Sequence, residues 1–161
     1  MVKLMDARVP FCAYQSCVQP DWIDYNGHMN VAYYVLAFDQ ATDAFNSNLD
    51  LGPEYVARTR KSLFVVDMNV TYRRELKEGA RISCTTQLLE FDAKKVRLFH
   101  QMFQDDEGFL AATNELIMVH VDLETGKSCP FPEATLERLQ AMARQHQSLA
   151  IPENAGRVLS L

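Results

Sequence analysis

Asp21-Trp22-Ile23-Asp24-Tyr25-Asn26-Gly27-His28-Met29-Asn30, followed at once by the apolar run Val31 to Phe38, is the stretch on which the reading of this chain turns. Carboxylates, an imidazole and side-chain amides crowd around one glycine, and nowhere else does the chain gather so many groups able to do chemistry. Asn30 is a good helix N-cap, because its side chain can accept from N–H groups of the first turn. From Val31 to about Asn46 the spacing is helical: Val31, Tyr34, Val35, Phe38, Ala41 and Phe45 recur at three and four. Ala32, Tyr33, Leu36 and Ala37 carry apolar character round to the other side, so this helix wants burial on most faces. The polar loop therefore delivers its groups to the start of a buried helix.

Upstream, Val9 to Gln19 reads as a strand stopped by Pro20. Downstream, Asn48 to Pro53 ends the helix, and Glu54 to Lys61 reads as a short connector. Four strand-like runs follow. Ser62 to Arg74 alternates from Val66, with Val66, Met68, Val70 and Tyr72 on one face and Asp67, Asn69, Thr71 and Arg73 on the other. Lys77-Glu78-Gly79 reads as a turn into Ala80 to Phe91. Asp92-Ala93-Lys94 reverses into Lys95 to Gln104, and Asp105 to Gly108 turns into Phe109 to Asp122. The last run is apolar on both faces and belongs inside its sheet. Glu133 to Gln147 has amphipathic spacing, with Leu136, Leu139 and Met142 on one side. Successive reversals imply an antiparallel sheet, and a single long apolar helix beside it implies a sheet that curls round that helix. The expected class is α+β. The expected organisation is a flexible arm at 1–8, one domain at 9–147 and a tail at 148–161, disordered from Pro152.

With 161 residues, 48% apolar and 23% charged, the chain suits one ordinary globular domain. Its net charge of -5 argues against a general nucleic-acid binder, which needs a basic face. No apolar run approaches the ~18 residues of a membrane span, and residues 1–10 lack the core of a secretory signal. Cys12, Cys17, Cys84 and Cys129 show no metal-finger spacing and read as thiols in a reducing cytoplasm, Cys84 within the core. His100 and His120 alternate with apolar strand residues and read as structural, while His146 is expected to be exposed.

In this order of elements, Asp24-Tyr25-Asn26-Gly27-His28-Met29-Asn30 between the first strand and the helix resembles the hotdog-fold acyl-CoA thioesterases, above all the 4-hydroxybenzoyl-CoA thioesterase branch. The resemblance covers roughly Cys12 to Phe131. The phrase from Trp22 to Asn30 is also similar to the thioesterase domain found beside, or fused to, carnitine dehydrogenases, a subgroup associated with betainyl-CoA. The resemblance implies a hotdog fold, hydrolysis of an acyl-CoA to free acid and CoA, and no cofactor or metal. It also implies a homodimer, with a tetramer left open, whose active sites lie between subunits.

By position, the resemblance puts the catalytic carboxylate at Asp24, as nucleophile or as base for a water, and the helix-start amide near Val31. A helix N-terminus suits a developing oxyanion because its first N–H groups are unpaired. His28 is placed to orient Asp24, to bond the thioester or to hold the loop. Asn30 is a catalytic candidate more readily read as a cap. Gly27 allows a sharp turn and close approach of substrate. Trp22, Tyr25, Tyr33 and Tyr34 are the nearby aromatics, suited to a cation–π wall against a trimethylammonium acyl group or simply to packing. Lys94, Lys95 and Arg97 fall where the branch meets CoA phosphates. Many relatives carry a second Asp two residues before the catalytic one, where this chain has Trp22. Asp39 and Asp43 on the helix are the alternative base. Two other readings stay open: a hotdog module that binds acyl-CoA without cleaving it, and a hydratase acting on an enoyl-CoA.

Overall fold

In a computed structural model, the structure describes residues 9–160, so the expected arm at 1–8 lies outside the described residues. Strand β1 (Phe11–Cys17) and a single 3-10 turn (Pro20–Trp22) precede α1 (Val31–Asn48) and α2 (Pro53–Thr59). Then come β2 (Lys61–Tyr72), β3 (Arg81–Phe91), β4 (Lys95–Gln104), β5 (Phe109–Asp122), the two-residue β6 (Lys127–Ser128) and α3 (Glu133–His146). The sheet runs β1-β3-β4-β5-β2, every pair antiparallel, with β6 added to β5. It curls round α1 in the hotdog arrangement that the sequence implies. β5 is interior, between β4 and β2, as its two apolar faces require.

Lys77-Glu78-Gly79 turns as expected, with Ala80 N–H donating to Lys77 O (3.1 Å), but it does not join paired strands, because β2 pairs β5 and β3 pairs β1 and β4. The segment crosses from the edge strand β2 to β3, beside the opposite edge strand β1, and Gly79 N–H and Ala80 C=O bond Val18 at the end of β1. β2 carries a bulge between Val65 and Asp67. Leu63 and Met68 consequently both pack on the core, although an odd spacing in an unbroken strand would place them on opposite faces.

Apolar packing under α1 divides in two. One cluster, with Phe45, Leu49, Leu88, Val96 and Leu98, fills the C-terminal half and is closed by Leu139 and Met142 of α3. The other, with Trp22, Met29, Phe38, Ile82 and Met102, sits beneath the Asp24 loop. Each such side chain contributes roughly 1.5–3 kcal/mol on burial.

His100 lies on the core face, fully buried and structural as expected. The Thr42 hydroxyl donates to Phe38 O (2.9 Å), so Thr42 Oγ1 accepts from His100 Nε2–H (3.0 Å), and Thr86 donates to His100 Nδ1 (2.9 Å). Burial pushes its pKa down to about 3, so the ring is neutral. His120 is likewise structural, taking a bond from Tyr55 O–H at Nε2 (2.9 Å) and giving one from Nδ1 to Cys129 O (3.0 Å). His146 corrects the expectation of exposure: it is 4% exposed, and its Nδ1 accepts from Leu88 N–H (2.9 Å) beside the β3 bulge.

The tail is also a correction. Instead of being disordered from Pro152, it returns over the outer face of the sheet. Asn154 bonds Thr113, Gly156 N–H donates to Glu115, and Asn69 and Arg157 exchange two bonds. Asn69 belongs to the polar face of β2, and Thr113 and Glu115 are polar positions of β5.

Candidate active site

Residues 22–30 form a miniature hairpin. Ile23 bridges Met29, Asp24 N–H donates to His28 O (3.1 Å), and Asn30 N–H donates to Trp22 O (2.9 Å). The reversal is closed by Gly27 N–H to Asp24 O (2.9 Å), with Gly27 at φ 80. That is the turn an Asp-x-Asn-Gly string favours, with Asp first and glycine at the left-handed position. Nothing lies within 4 Å of a Cβ built on Gly27, so the backbone angle, rather than space, demands glycine.

Asp24 has two engagements. Oδ1 accepts from Asn26 N–H (2.8 Å), which locks the turn, and Oδ2 accepts from Asn30 Nδ2 (3.3 Å). The same Asn30 amide caps α1, its Oδ1 accepting from Ala32 N–H (2.9 Å). One side chain thus ties the carboxylate to the helix start. Around that start, Asn30 N–H goes to Trp22 O, Ala32 N–H to Asn30 Oδ1 and Tyr33 N–H to Asn30 O. Among the described residues nothing accepts from Val31 N–H, which leaves it as the open donor of the first turn. The Val31 side chain is 58% exposed and its carbonyl accepts from Tyr72 O–H (3.3 Å).

The other candidates separate. His28 turns to Glu75, its Nε2 3.8 Å from Oε2, and meets Asp24 only through backbone. Trp22 is 8% exposed and stacks on Tyr33 at 5.5 Å, so this pair packs the loop onto the helix. Tyr34 is buried beneath, its hydroxyl accepting from Leu76 N–H (3.0 Å). Tyr25, by contrast, is 97% exposed at the loop tip.

Lys94 and Lys95 lie at the end of the sheet away from the loop, where Lys95 pairs with Val119. Asp92 Oδ1 accepts from both their N–H groups, which holds its carboxyl below the usual range. Arg97 is committed elsewhere: Nε donates to Glu115 (2.6 Å), Nη2 also pairs with Glu115, and Glu90 lies 3.4 Å from Nη1. Asp39 and Asp43 are exposed on α1, and partial burial followed by the Asp39 charge raises the Asp43 pKa. Glu75 and Tyr72 were missed by sequence reasoning, since no local pattern links them to a loop more than forty residues away.

Residues 18–139 match the family model described as the thioesterase-like superfamily. The chain belongs to that superfamily. Among its relatives is a betainyl-CoA thioesterase of Pseudomonas aeruginosa, 37% identical over 92% of this chain and 93% of its own length. Another is a bifunctional L-carnitine dehydrogenase/betainyl-CoA thioesterase of Ruegeria pomeroyi, 38% identical over 94% of this chain; the match spans 30% of that longer protein. Among solved structures, a candidate thioesterase from Pseudomonas putida KT2440 aligns with TM-score 0.83 at 33% identity, covering 94% of this chain and 97% of its own. A Staphylococcus aureus protein solved in complex with CoA aligns with TM-score 0.88 at 25% identity, covering 97% of this chain and 99% of its own. These likenesses bear out the fold, and among the described residues no helix is long and apolar enough to cross a membrane.

Proposed function

We propose that this thioesterase hydrolyses betainyl-CoA to betaine and CoA, working as a homodimer in the cytoplasm. The observation that carries the chemistry is the shared Asn30 amide, which ties the Asp24 carboxylate to the start of α1, where among the described residues nothing accepts from Val31 N–H. A thioester carbonyl oxygen directed at Val31 N–H gains charge in the transition state, where a preorganised donor is worth ~3 kcal/mol. Asp24 then either attacks the carbonyl carbon, expelling the CoA thiolate and giving a mixed anhydride that water hydrolyses to free acid and Asp24, or takes a proton from a water that attacks it and expels the thiolate. His28, turned to Glu75, holds the loop. Support for the acyl group comes from the relatives' names, since each of the two related proteins above is a betainyl-CoA thioesterase or contains one.

Dimerisation is supported by surfaces one protomer leaves open. The edge strand β2 exposes Phe64, Val65 and Val66, and α1 exposes Val31 and Leu36. Pairing would cover that edge and those apolar groups. Tyr25 at the loop tip is then free for substrate or the partner, and Lys94 and Lys95, remote from Asp24 in one protomer, would meet CoA bound across two.

A panel of acyl-CoAs, including betainyl-CoA, a short neutral acyl-CoA and 4-hydroxybenzoyl-CoA, tests the reading by free thiol release. The highest kcat/KM is expected for betainyl-CoA. No hydrolysis of any thioester would favour the binding-module alternative, and preference for an aromatic acyl group would replace the substrate.

A further inference from the structure

The start of α1 is surrounded by aromatic side chains, and most of them are already committed. Trp22 and Tyr33 stack at 5.5 Å, each covering one face of the other. Tyr34 is buried, with its hydroxyl on Leu76 N–H. Tyr25 is 97% exposed, so too little of it touches the protomer to fix its ring. Tyr72 differs from all of these in being both held and open. Its hydroxyl donates to Val31 O (3.3 Å) and its ring meets Tyr34 edge to face at 5.2 Å, yet it is 46% exposed.

The strand puts it there. Beyond the β2 bulge, Met68, Val70 and Tyr72 alternate on the face that packs against α1, while Asn69 and Thr71 turn to the C-terminal tail. β2 is an edge strand, so within the protomer no further strand covers the ring from the side. Partial burial raises the Tyr72 pKa, so the phenol is neutral and its O–H remains the donor that fixes the ring to the helix.

A quaternary ammonium donates no hydrogen bonds, and its charge is spread over methyl groups. The face of an aromatic ring attracts such a cation when the nitrogen lies within about 6 Å of the ring centre. In a betainyl thioester a single methylene separates that nitrogen from the reacting carbonyl carbon. A carbonyl oxygen bonded to Val31 N–H therefore carries the nitrogen to the helix start. Bond lengths keep the N and O of one residue within about 4 Å of each other, so Val31 N and the Tyr72 hydroxyl, which is 3.3 Å from Val31 O, lie within about 7 Å. A half-open ring at that distance is near enough to meet the cation. A neutral acyl group of the same shape would pack on the ring without that attraction.

We infer that the ring of Tyr72 recognises the quaternary ammonium of the acyl group and sets the preference of the site for a cationic over a neutral substrate. This rests on the betainyl-CoA reading above, which supplies the cation. It assigns acyl selectivity to β2, more than forty residues from the hairpin that holds Asp24.

The test compares kcat/KM for betainyl-CoA with that for 3,3-dimethylbutyryl-CoA, its uncharged isostere, in wild type, Tyr72→Phe and Tyr72→Leu. The preference for the cation is expected to fall at least about fivefold in Tyr72→Leu, mainly through KM. It should stay within about twofold of wild type in Tyr72→Phe, which keeps the ring and loses only the bond to Val31 O. A folded Tyr72→Leu that keeps the wild-type preference overturns the assignment and leaves the betainyl-CoA reading standing. Equal losses in Tyr72→Phe and Tyr72→Leu also overturn it, because the hydroxyl and not the ring would then carry the effect. No preference in wild type overturns both. Should Tyr72→Leu fail to fold, pentafluorophenylalanine at position 72 decides. It keeps the shape of the ring and removes its electron-rich face, so the preference should be lost, and a preference retained overturns the assignment.

Discussion

Replacing Asn30 by alanine separates two functions that one amide performs. The change removes the acceptor for Ala32 N–H and the donor to Asp24 Oδ2. Loss of the cap costs about 1 kcal/mol of stability, a fall in Tm of about 2–4 °C for a chain of this size. Loss of a hydrogen bond to a charged group is worth about 1.5–3 kcal/mol. Felt wholly in the transition state, it lowers kcat by about 10- to 150-fold. Asn30→Ser distinguishes the two roles. Serine caps a helix about as well as asparagine, but its hydroxyl is too short to take over the bond to Asp24. Thermal unfolding and thiol release, measured side by side, should show both quantities reduced in Asn30→Ala and only Tm recovered in Asn30→Ser. Recovery of kcat along with Tm would mean that Asn30 is a cap and nothing more, and that Asp24 is positioned by its own turn.

Two further outcomes follow from the fold and the charges. Burial depresses His100 to about 3 against an ordinary 6.5, so between those values the unfolded chain binds the extra proton. Its contribution to stability is complete above pH 6.5 and drains away as pH falls toward 3; between pH 6.5 and 5 the loss is about 2 kcal/mol. Burial of His120 and His146 acts in the same direction, so chemical denaturation of His100→Gln should show a shallower decline rather than none. Arg97 and the neighbouring lysines should part company: Arg97→Ala should loosen the tail held through Glu115 and Gly156, read as faster amide exchange near 154–157, while Lys94→Ala with Lys95→Ala should raise KM and weaken its dependence on salt.

The elements legible in sequence were those written by local pattern. The α1 periodicity, the Asn30 cap and the β3–β4 and β4–β5 reversals all appear as expected. The Asp24 loop carried more information than its reading as a polar loop used, since Asp24, Asn26 and Gly27 spell out a hairpin turn. The rest depended on partners distant in sequence. Gly79 marks a crossover rather than a hairpin because Val18 competes for its backbone. His146 is buried because the β3 bulge leaves Leu88 N–H needing an acceptor. The tail carries no helix or strand pattern, yet it is held because Asn69, Thr113 and Glu115 await it on the outer face. Arg97 sits among lysines in sequence, and only the strand register reveals that Glu115 claims it.

Asp24→Asn is the most direct measurement. The substitution keeps the size of the side chain and an oxygen for Asn26 N–H, and removes the charge to which the proposed function assigns attack or deprotonation. Turnover of betainyl-CoA should fall about a hundredfold or more, with Tm and native mass unchanged. A folded Asp24→Asn protein that hydrolyses the thioester at a rate comparable with wild type would contradict the account.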